Sequence, residues 1–199
     1  MRLHLALLAS AALLACSCGD DAYDETYPDI ITEMADVETD ANGRMTRLVT
    51  DDGKSYAILN DLTGYRSRVT YRTVCGFVPS GDNATVYQMK GAYVLGDSTA
   101  VAATDPVTAV CAWRAGKYIN MQLAPLSQGG TQWWGYAVGE RTEGHLHITL
   151  HHRQNSDPMS YTVDTYASIV VDKLGLADGD TITLHVNTPT GEKEWNFRK

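Results

Sequence analysis

The sequence has 199 residues, 44% of them hydrophobic, and a formal net charge of −8 at pH 7. This hydrophobic content excludes a disordered chain. The excess of acidic residues repels phosphate backbones, so nucleic acid is not expected as a partner. Beyond the first residues, no apolar run approaches the roughly 20 residues that a membrane-spanning helix needs.

The chain begins with a segment that looks like an export signal. Residues 5–15 are an apolar run of 11 residues that follows Arg2, about half the length of a membrane-spanning helix. Residues 13–16 read Leu-Leu-Ala-Cys, which resembles the lipobox of bacterial lipoproteins. In that class the cysteine becomes the first mature residue and carries fatty acyl chains, two or more of which anchor a protein stably.

We therefore expect Cys16 to carry the lipid, with Cys18 as the alternative. Residues 19–21 read Gly-Asp-Asp, and Cys18 with these residues resembles the signal that sends lipoproteins of the Bacteroidota to the cell surface. The expected location is the bacterial outer membrane, lipid-anchored and exposed at the surface. The periplasmic face and a cleaved secretory signal without lipid remain alternatives.

After the signal, the sequence predicts an acidic tether followed by a first β domain. Residues 1–17 are assigned to the signal and lipobox, and 18–29 to an acidic tether without apolar periodicity. Residues 30–96 contain five strand patterns, two of which flank the hairpin turn Asp51-Asp52-Gly53. Five strands in about 65 residues are typical of a small closed barrel such as the OB-fold.

A second β domain is predicted after a connection over residues 97–106. Residues 107–199 contain seven short strand patterns separated by turn signals, which is typical of an antiparallel, Ig-like sandwich. The predicted fold class is therefore all-β, a five-stranded OB-like barrel followed by a seven-stranded sandwich. The predicted strands are 107–113, 118–124, 132–139, 145–153, 159–171, 181–187 and 192–198.

Outside the signal region there are two cysteines, Cys75 and Cys111. A disulfide between them would close a loop of roughly 36 residues, connect the two domains and stabilise the chain by about 3–4 kcal/mol. The alternative is two small thiols that lie far apart.

Three histidines are candidates for metal binding. On a regular strand His145, His147 and His151 share one face, with spacings near 7 and 13 Å. His145 and His147 could bind a metal together with a ligand from the next strand. No acidic residue or cysteine has a matching spacing along the sequence, so an exposed histidine-rich sheet face is the preferred interpretation and no metal site is expected.

Aromatic and basic side chains are the other candidates for binding. Trp133 and Trp134 point to opposite faces of a strand, and an exposed tryptophan near Tyr136 could stack on a sugar or on a protein partner. Burial beneath a neighbouring loop is the preferred interpretation. Arg66, Arg68 and Arg72 could bind a ligand on the barrel, although a solvated strand face explains them more simply.

An enzyme is not expected. The sequence lacks a Gly-x-Ser-x-Gly elbow, a phosphate-binding glycine loop and a His-Glu-x-x-His pair. Most of the carboxylates lie in turns, where they accept hydrogen bonds from backbone amides. No cofactor is predicted.

Together with the lipoprotein signal that ends in Cys18-Gly-Asp-Asp, three motifs resemble the NigD-like family. They are the hairpin Thr50 to Lys54, the residues Trp113 and 116–120 (Gly-Lys-Tyr-Ile-Asn), and the segment 150–157 (Leu-His-His-Arg-Gln-Asn-Ser-Asp), which departs from the family pattern at Arg153 and Ser156. The resemblance implies an N-terminal OB domain, a C-terminal β-sandwich and a role in bacteriocin immunity. It implies no catalytic residues.

Two functions are compatible with these features. The first is a non-catalytic envelope module that binds a protein, of the bacteriocin-immunity type implied by the resemblance. The second is a surface module that binds glycan through exposed aromatic residues. In both, the membrane is contacted through the lipid anchor.

Overall fold

A computed structural model describes residues 28–100 and 103–199. Both lipidation candidates, Cys16 and Cys18, lie outside these residues. Within the described ranges no helix has the length and apolar character needed to cross a membrane. The strands are β1 (Ile31–Thr39), β2 (Met45–Thr50), β3 (Ser55–Ile58), β4 (Thr70–Ser80), β5 (Asn83–Gly91), β6 (Tyr93–Val94), β7 (Thr108–Ala115), β8 (Tyr118–Ala124), β9 (Leu126–Ser127), β10 (Trp133–Thr142), β11 (His145–Arg153), β12 (Tyr161–Thr162), β13 (Thr165–Val170), β14 (Thr181–Thr188) and β15 (Gly191–Arg198), with a 3-10 helix at Val171–Leu174.

The first five strands form a closed barrel in the order β1-β2-β3-β5-β4. Strands β4 and β1 are antiparallel and close it, while β3 and β5 pair in parallel. Alternate residues point inward and fill the barrel, among them Val37, Leu48 and Phe77, which are at most 1% exposed. The hairpin between β2 and β3 turns at Gly53, whose φ of +87° favours glycine. This is the predicted OB-like barrel.

The remaining strands form a sandwich, as predicted. One sheet has the order β10-β11-β14-β15 and the other β6-β13-β8-β7, and a short ribbon pairs β12 with β9. Side chains from both sheets share one apolar core, which includes Ile119, Ile148, Ile169 and Leu184, all fully buried.

The sandwich is not antiparallel throughout, which corrects the expectation. Strand β14 pairs in parallel with β11, and β6 pairs in parallel with β13. Between β11 and β14 the chain crosses to the other sheet and forms β13 and the 3-10 helix, so it returns in the same direction as it left. A parallel pair requires such a long connection.

The segment between the domains lies against the sandwich. The last barrel strand ends at Gly91, inside the range 30–96 predicted for the barrel domain, and β6 already belongs to the sandwich. Farther on, Asp97 bridges to Tyr136 and Thr104 bridges to His152. The apolar side chain of Leu95 enters the sandwich core. The described parts of this connection, residues 97–100 and 103–106, thus contain groups with fixed partners on the second domain.

Candidate functional site

The two domains meet at a buried arginine. Arg72 on β4 donates from Nη1 and Nη2 to the two carboxylate oxygens of Asp51, at 2.6 and 2.7 Å. Its remaining N–H groups reach Asp36 at 3.3 Å, Asn120 at 2.9 Å and Ser168 at 3.1 Å. These contacts use all five N–H groups of the guanidinium. Asp36 and Asp51 belong to the barrel, whereas Asn120 and Ser168 belong to the sandwich, so Arg72 joins the domains.

The sandwich contributes the ring and hydroxyl of Tyr118 and the ammonium of Lys117 to this junction. The guanidinium carbon of Arg72 lies 3.8 Å from the centre of the Tyr118 ring, and the Tyr118 hydroxyl lies 2.9 and 3.0 Å from the carboxylate oxygens of Asp36. The ammonium of Lys117 is 3.1 Å from Asp36. Its hydrogen bond to Asp36 raises the pKa of Lys117, and burial raises the pKa of Tyr118. A buried cation with this many partners fixes the domains in one arrangement.

A glycine permits the close approach of the domains. Gly116 has a φ of +50°, and a Cβ atom added to it would lie 2.1 Å from the carbonyl oxygen of Asp51. The hairpin 50–54 and the segment 116–120 therefore contact each other directly. Two of the motifs that carry the family resemblance thus build the domain junction.

The expectation that Arg72 lies on a solvated strand face is wrong. Its side chain is only 1% exposed, because the sandwich covers this face of the barrel. Arg66 and Arg68 are exposed, and neither takes part in the junction.

A cleft of about 430 Å³ opens beside the junction. Three acidic residues line it: Glu33 is exposed, Asp51 is paired with Arg72, and Asp52 is 2.8 Å from the ammonium of Lys54. The hydrogen bonds of Asp52 to Lys54 and Thr50 lower its pKa to about 2. Two of the three carboxylates in the cleft, Asp51 and Asp52, thus have cationic partners within the protein.

The predicted aromatic site is only partly exposed. Tyr136 is 5% exposed and lies in the sandwich core, so the expectation of a ligand-binding Tyr136 is wrong. The backbone N–H of Ser98 donates to the Tyr136 carbonyl at 2.7 Å, and the segment around Ser98 covers this part of β10. Trp133 and Trp134 are both half-buried, and the Trp134 ring stacks on His152 with centroids 4.1 Å apart.

A different group of side chains forms an exposed apolar surface beside Trp134. Two depressions of about 420 and 200 Å³ share Tyr93, Val163 and Thr165. Tyr93 is 50% exposed and Val163 39%, and the Tyr93 and Trp134 ring centroids are 6.1 Å apart. The ribbon of β9 and β12 adds Tyr161, which is 68% exposed and lies on the same face of its strand as Val163, two residues later. We call these side chains the Tyr93 surface: Tyr93, Trp134, Tyr161 and Val163.

Asp157 fixes the loop behind this surface. Its carboxylate accepts hydrogen bonds from the backbone N–H groups of Gln128 and Gly130, at 2.9 and 3.0 Å, and from the side chains of Ser127 and Gln132. These donors, led by the Ser127 hydroxyl, lower the pKa of Asp157 to about 2. Asp157 ends the third family motif, so this motif also has a structural role.

Comparison with known families agrees with this architecture. The model of the NigD-like C-terminal beta sandwich domain matches residues 91–198. The chain belongs to the NigD-like family. The matched range begins at the end of β5 and contains both sandwich sheets. No curated protein matches this NigD-like chain.

Solved structures share the fold at low sequence identity. A NigD-like immunity protein from Bacteroides caccae is 21% identical, with a TM-score of 0.66 over 86% of this chain and 98% of that one. A Parabacteroides distasonis protein described as toxin-related is 15% identical, with a TM-score of 0.69 over 86% and 93% of the two chains. A Bacteroides fragilis protein described as a lipoprotein is 11% identical, with a TM-score of 0.61 over 85% and 97%.

The histidines of this NigD-like protein separate into two environments. His145 and His147 lie on the outer face of β11, and their ring centroids are 4.6 Å apart. The buried Leu146 and Ile148 point to the other face, toward the core. His151 is 6% exposed and lies 3.2 Å from the Ser98 hydroxyl, so it does not share an exposed face with the other two. Its burial follows from the segment that covers β10.

The structure also contradicts the disulfide between Cys75 and Cys111. Both thiols are free: Cys75 is buried and Cys111 is exposed. Cys75 points into the barrel core, whereas Cys111 lies on β7 with its sulfur 3.8 Å from Gln122 Oε1. Burial raises the pKa of Cys75 to about 12. The domains are held together by the Arg72 junction and not by this bond.

Proposed function

We propose that this protein is a lipid-anchored, non-catalytic module of the bacterial envelope that binds a polypeptide, of the bacteriocin-immunity type. The Tyr93 surface is the binding site. The observation that carries the proposal is the exposure of Tyr93 and Tyr161 next to Val163, on a body whose two domains are fixed by Arg72. The immunity protein from Bacteroides caccae has the same fold.

The chemistry of this surface suits a protein partner. Exposed aromatic and aliphatic side chains that surround shallow depressions are typical of the energetically important centre of protein interfaces. Met159, which is 64% exposed near Tyr161 in sequence, adds an adaptable apolar side chain. A net charge of −8 favours a cationic polypeptide, because long-range attraction accelerates association.

The glycan alternative gains no comparable support. A sugar ring stacks on the flat face of an aromatic side chain, and one face of Trp134 is already occupied by His152. Tyr136, the other expected aromatic, is in the core. We therefore propose a polypeptide as the ligand.

The anchor is tested by lipid labelling. Radiolabelled palmitate is expected to enter the wild-type chain and a Cys18→Ala variant, but not a Cys16→Ala variant. Labelling lost only with Cys18→Ala would move the anchor to that residue. A wild-type chain without label would contradict the proposed envelope anchor.

The binding role is tested by protection. Cells of the native host that lack the gene are challenged with culture supernatants of competing strains and complemented with variants. We expect the wild-type gene to restore survival and a Tyr93→Ser, Tyr161→Ser double variant to reduce survival at least tenfold. Tyr87→Ser is the matched control, because Tyr87 is a 54% exposed tyrosine on the barrel. Equal survival with the double variant would reject the Tyr93 surface, and absence of any protection by the wild type would reject the immunity role.

A further inference from the structure

The outer face of the β10-β11-β14-β15 sheet carries a cluster of metal-ligating side chains that the function proposed above does not use. His185 on β14 lies opposite Glu194 on β15, and Glu192 lies opposite Asn187, one pleat farther along. Residues two apart on a strand share a face, so these three side chains point to the same side of the sheet. The core residues Leu184 and Val186 point to the other side.

The three side chains converge on one point. The Nδ1 atom of His185 is 3.2 Å from Glu192 Oε1 and 3.2 Å from Glu194 Oε1, and all three atoms lie within 4.8 Å of one another. Two ligands at zinc-binding distances of about 2.0–2.2 Å from a tetrahedral ion are separated by about 3.3–3.6 Å. The spacing of the imidazole nitrogen from each carboxylate oxygen is therefore close to that of two corners of a zinc site.

The negative charges in this cluster also favour a bound cation. Two carboxylates face a single nitrogen, which carries at most one proton and can donate that proton well to only one of them. A divalent ion bound by a neutral imidazole and two carboxylates would neutralise both negative charges.

Neighbouring histidines hold the His185 ring in the orientation that such a site needs. His185 Nε2 lies 2.8 Å from Nδ1 of His147, and the two rings stack with centroids 5.2 Å apart. His145 follows in the row, and its Nε2 atom is 3.0 Å from the Thr183 hydroxyl. A hydrogen bond from Nε2–H of His185 to His147 leaves Nδ1 free to bind a metal, which is the usual role of such an outer partner.

We propose that His185, Glu192 and Glu194 bind a divalent transition-metal ion, with Zn²⁺ as the fitting species. The fourth coordination position faces solvent, because Glu192 and Glu194 are exposed. His147 is a positioning residue that orients His185 and does not itself contact the ion. This site is separate from the Tyr93 surface and does not depend on the polypeptide-binding proposal.

The sequence alone indicates only part of this metal site. His145 and His147 were recognisable from their spacing on one strand. Glu192 and Glu194 come nearly 50 residues later, and they approach the histidines only because β14 crosses back parallel to β11 and then pairs with β15.

The test is metal binding by the full chain carrying Cys16→Ala, Cys18→Ala and Cys111→Ser, so that the thiol left is the buried Cys75. After treatment with EDTA and its removal, titration with Zn²⁺ is followed by calorimetry, and Co²⁺ is used as a probe whose visible absorption reports tetrahedral geometry. We expect one ion per chain.

Glu192→Gln and Glu194→Gln each remove negative charge at an exposed position. Each should weaken Zn²⁺ binding at least tenfold while the circular dichroism spectrum stays unchanged.

Two further variants separate a metal site from nonspecific binding. His147→Gln should weaken binding about tenfold and shift the Co²⁺ spectrum. Glu33→Gln, an exposed glutamate on the barrel, should have no effect. Absence of binding by the parent chain up to 100-fold molar excess of Zn²⁺ would show a hydrogen-bonded cluster only and overturn the proposal. Equal affinity of the parent chain, Glu192→Gln and Glu194→Gln would also overturn it.

Discussion

The guanidinium of Arg72 and the carboxylate of Asp51 form a two-point ion pair, with distances of 2.6 and 2.7 Å, where the barrel meets the sandwich. Asp51 lies in the β2–β3 hairpin and Arg72 near the start of β4. Their contact therefore positions the hairpin against the segment 116–120 of the second domain. The relative orientation of the two domains depends on this pair.

Arg72→Ala is expected to lower the free energy of unfolding by about 3–5 kcal/mol, because it leaves two buried carboxylates without their shared cation. Urea denaturation followed by circular dichroism measures the change. The control is Arg47→Ala, which removes a half-exposed partner 3.6 Å from Glu38 and should cost at most about 1 kcal/mol. Equal effects of the two substitutions would show that the junction contributes little.

Gly116→Ala is expected to destabilise the protein more than Gly53→Ala. Both glycines have positive φ, so both substitutions cost about 1–2 kcal/mol for the left-handed backbone. Only Gly116 meets an obstacle, since its added Cβ would lie 2.1 Å from the Asp51 carbonyl oxygen, whereas nothing lies within 4 Å of a Cβ at Gly53. Small-angle scattering should also detect altered domain packing in Gly116→Ala alone. Indistinguishable unfolding midpoints would argue against close contact of the domains at this glycine.

The sequence predicted the strands well because their signals are local. The alternation of apolar and polar residues in β1 and the turn at Gly53 both depend on residues that are neighbours in the chain. The position of Arg72 could not be predicted in the same way, because alternation assigns it to the outer face of the barrel without telling what covers that face. Tyr136 was misjudged for a related reason, since the segment that covers it lies about 40 residues earlier.

The binding surface was also only partly visible in the sequence. Trp134 was singled out, but Tyr93 and Tyr161 come from distant segments that meet only after β6 and the β9–β12 ribbon attach to the sandwich. The cross-strand pair of His185 and Glu194 likewise depends on the register of β14 and β15. In both cases the missing information is the topology of the sheets.

Asp157→Asn is expected to reduce the loss of stability in acid. The pKa of Asp157 in the folded protein is about 2, below the ordinary value of 3.8, so its carboxylate stabilises the fold fully above about pH 4 and loses this effect as the pH falls toward 2. Urea midpoints at pH 7, 4 and 2.5 should fall less steeply with pH in the variant, which starts from lower stability at pH 7. Asp178→Asn, at a side chain that is 98% exposed, should behave like the wild type. A variant with the wild-type pH dependence would exclude this role of Asp157.

Cys111 is expected to react with iodoacetamide in the native protein, and Cys75 only after unfolding. Cys111 is exposed, whereas a pKa of about 12 leaves Cys75 with about one thiolate in ten thousand at pH 8. Peptide mapping under native and denaturing conditions measures both. A Cys75–Cys111 cross-linked peptide under non-reducing conditions would contradict the free thiols.

The central claim is that the Tyr93 surface binds a polypeptide, and site-specific photo-crosslinking in living cells tests it most directly. A benzophenone amino acid replaces Tyr161 in one strain and Tyr87, the exposed tyrosine of the barrel, in another. We predict a discrete, protease-sensitive adduct from position 161 and none from position 87. No adduct at position 161, or one that resists protease and contains carbohydrate, would contradict the account.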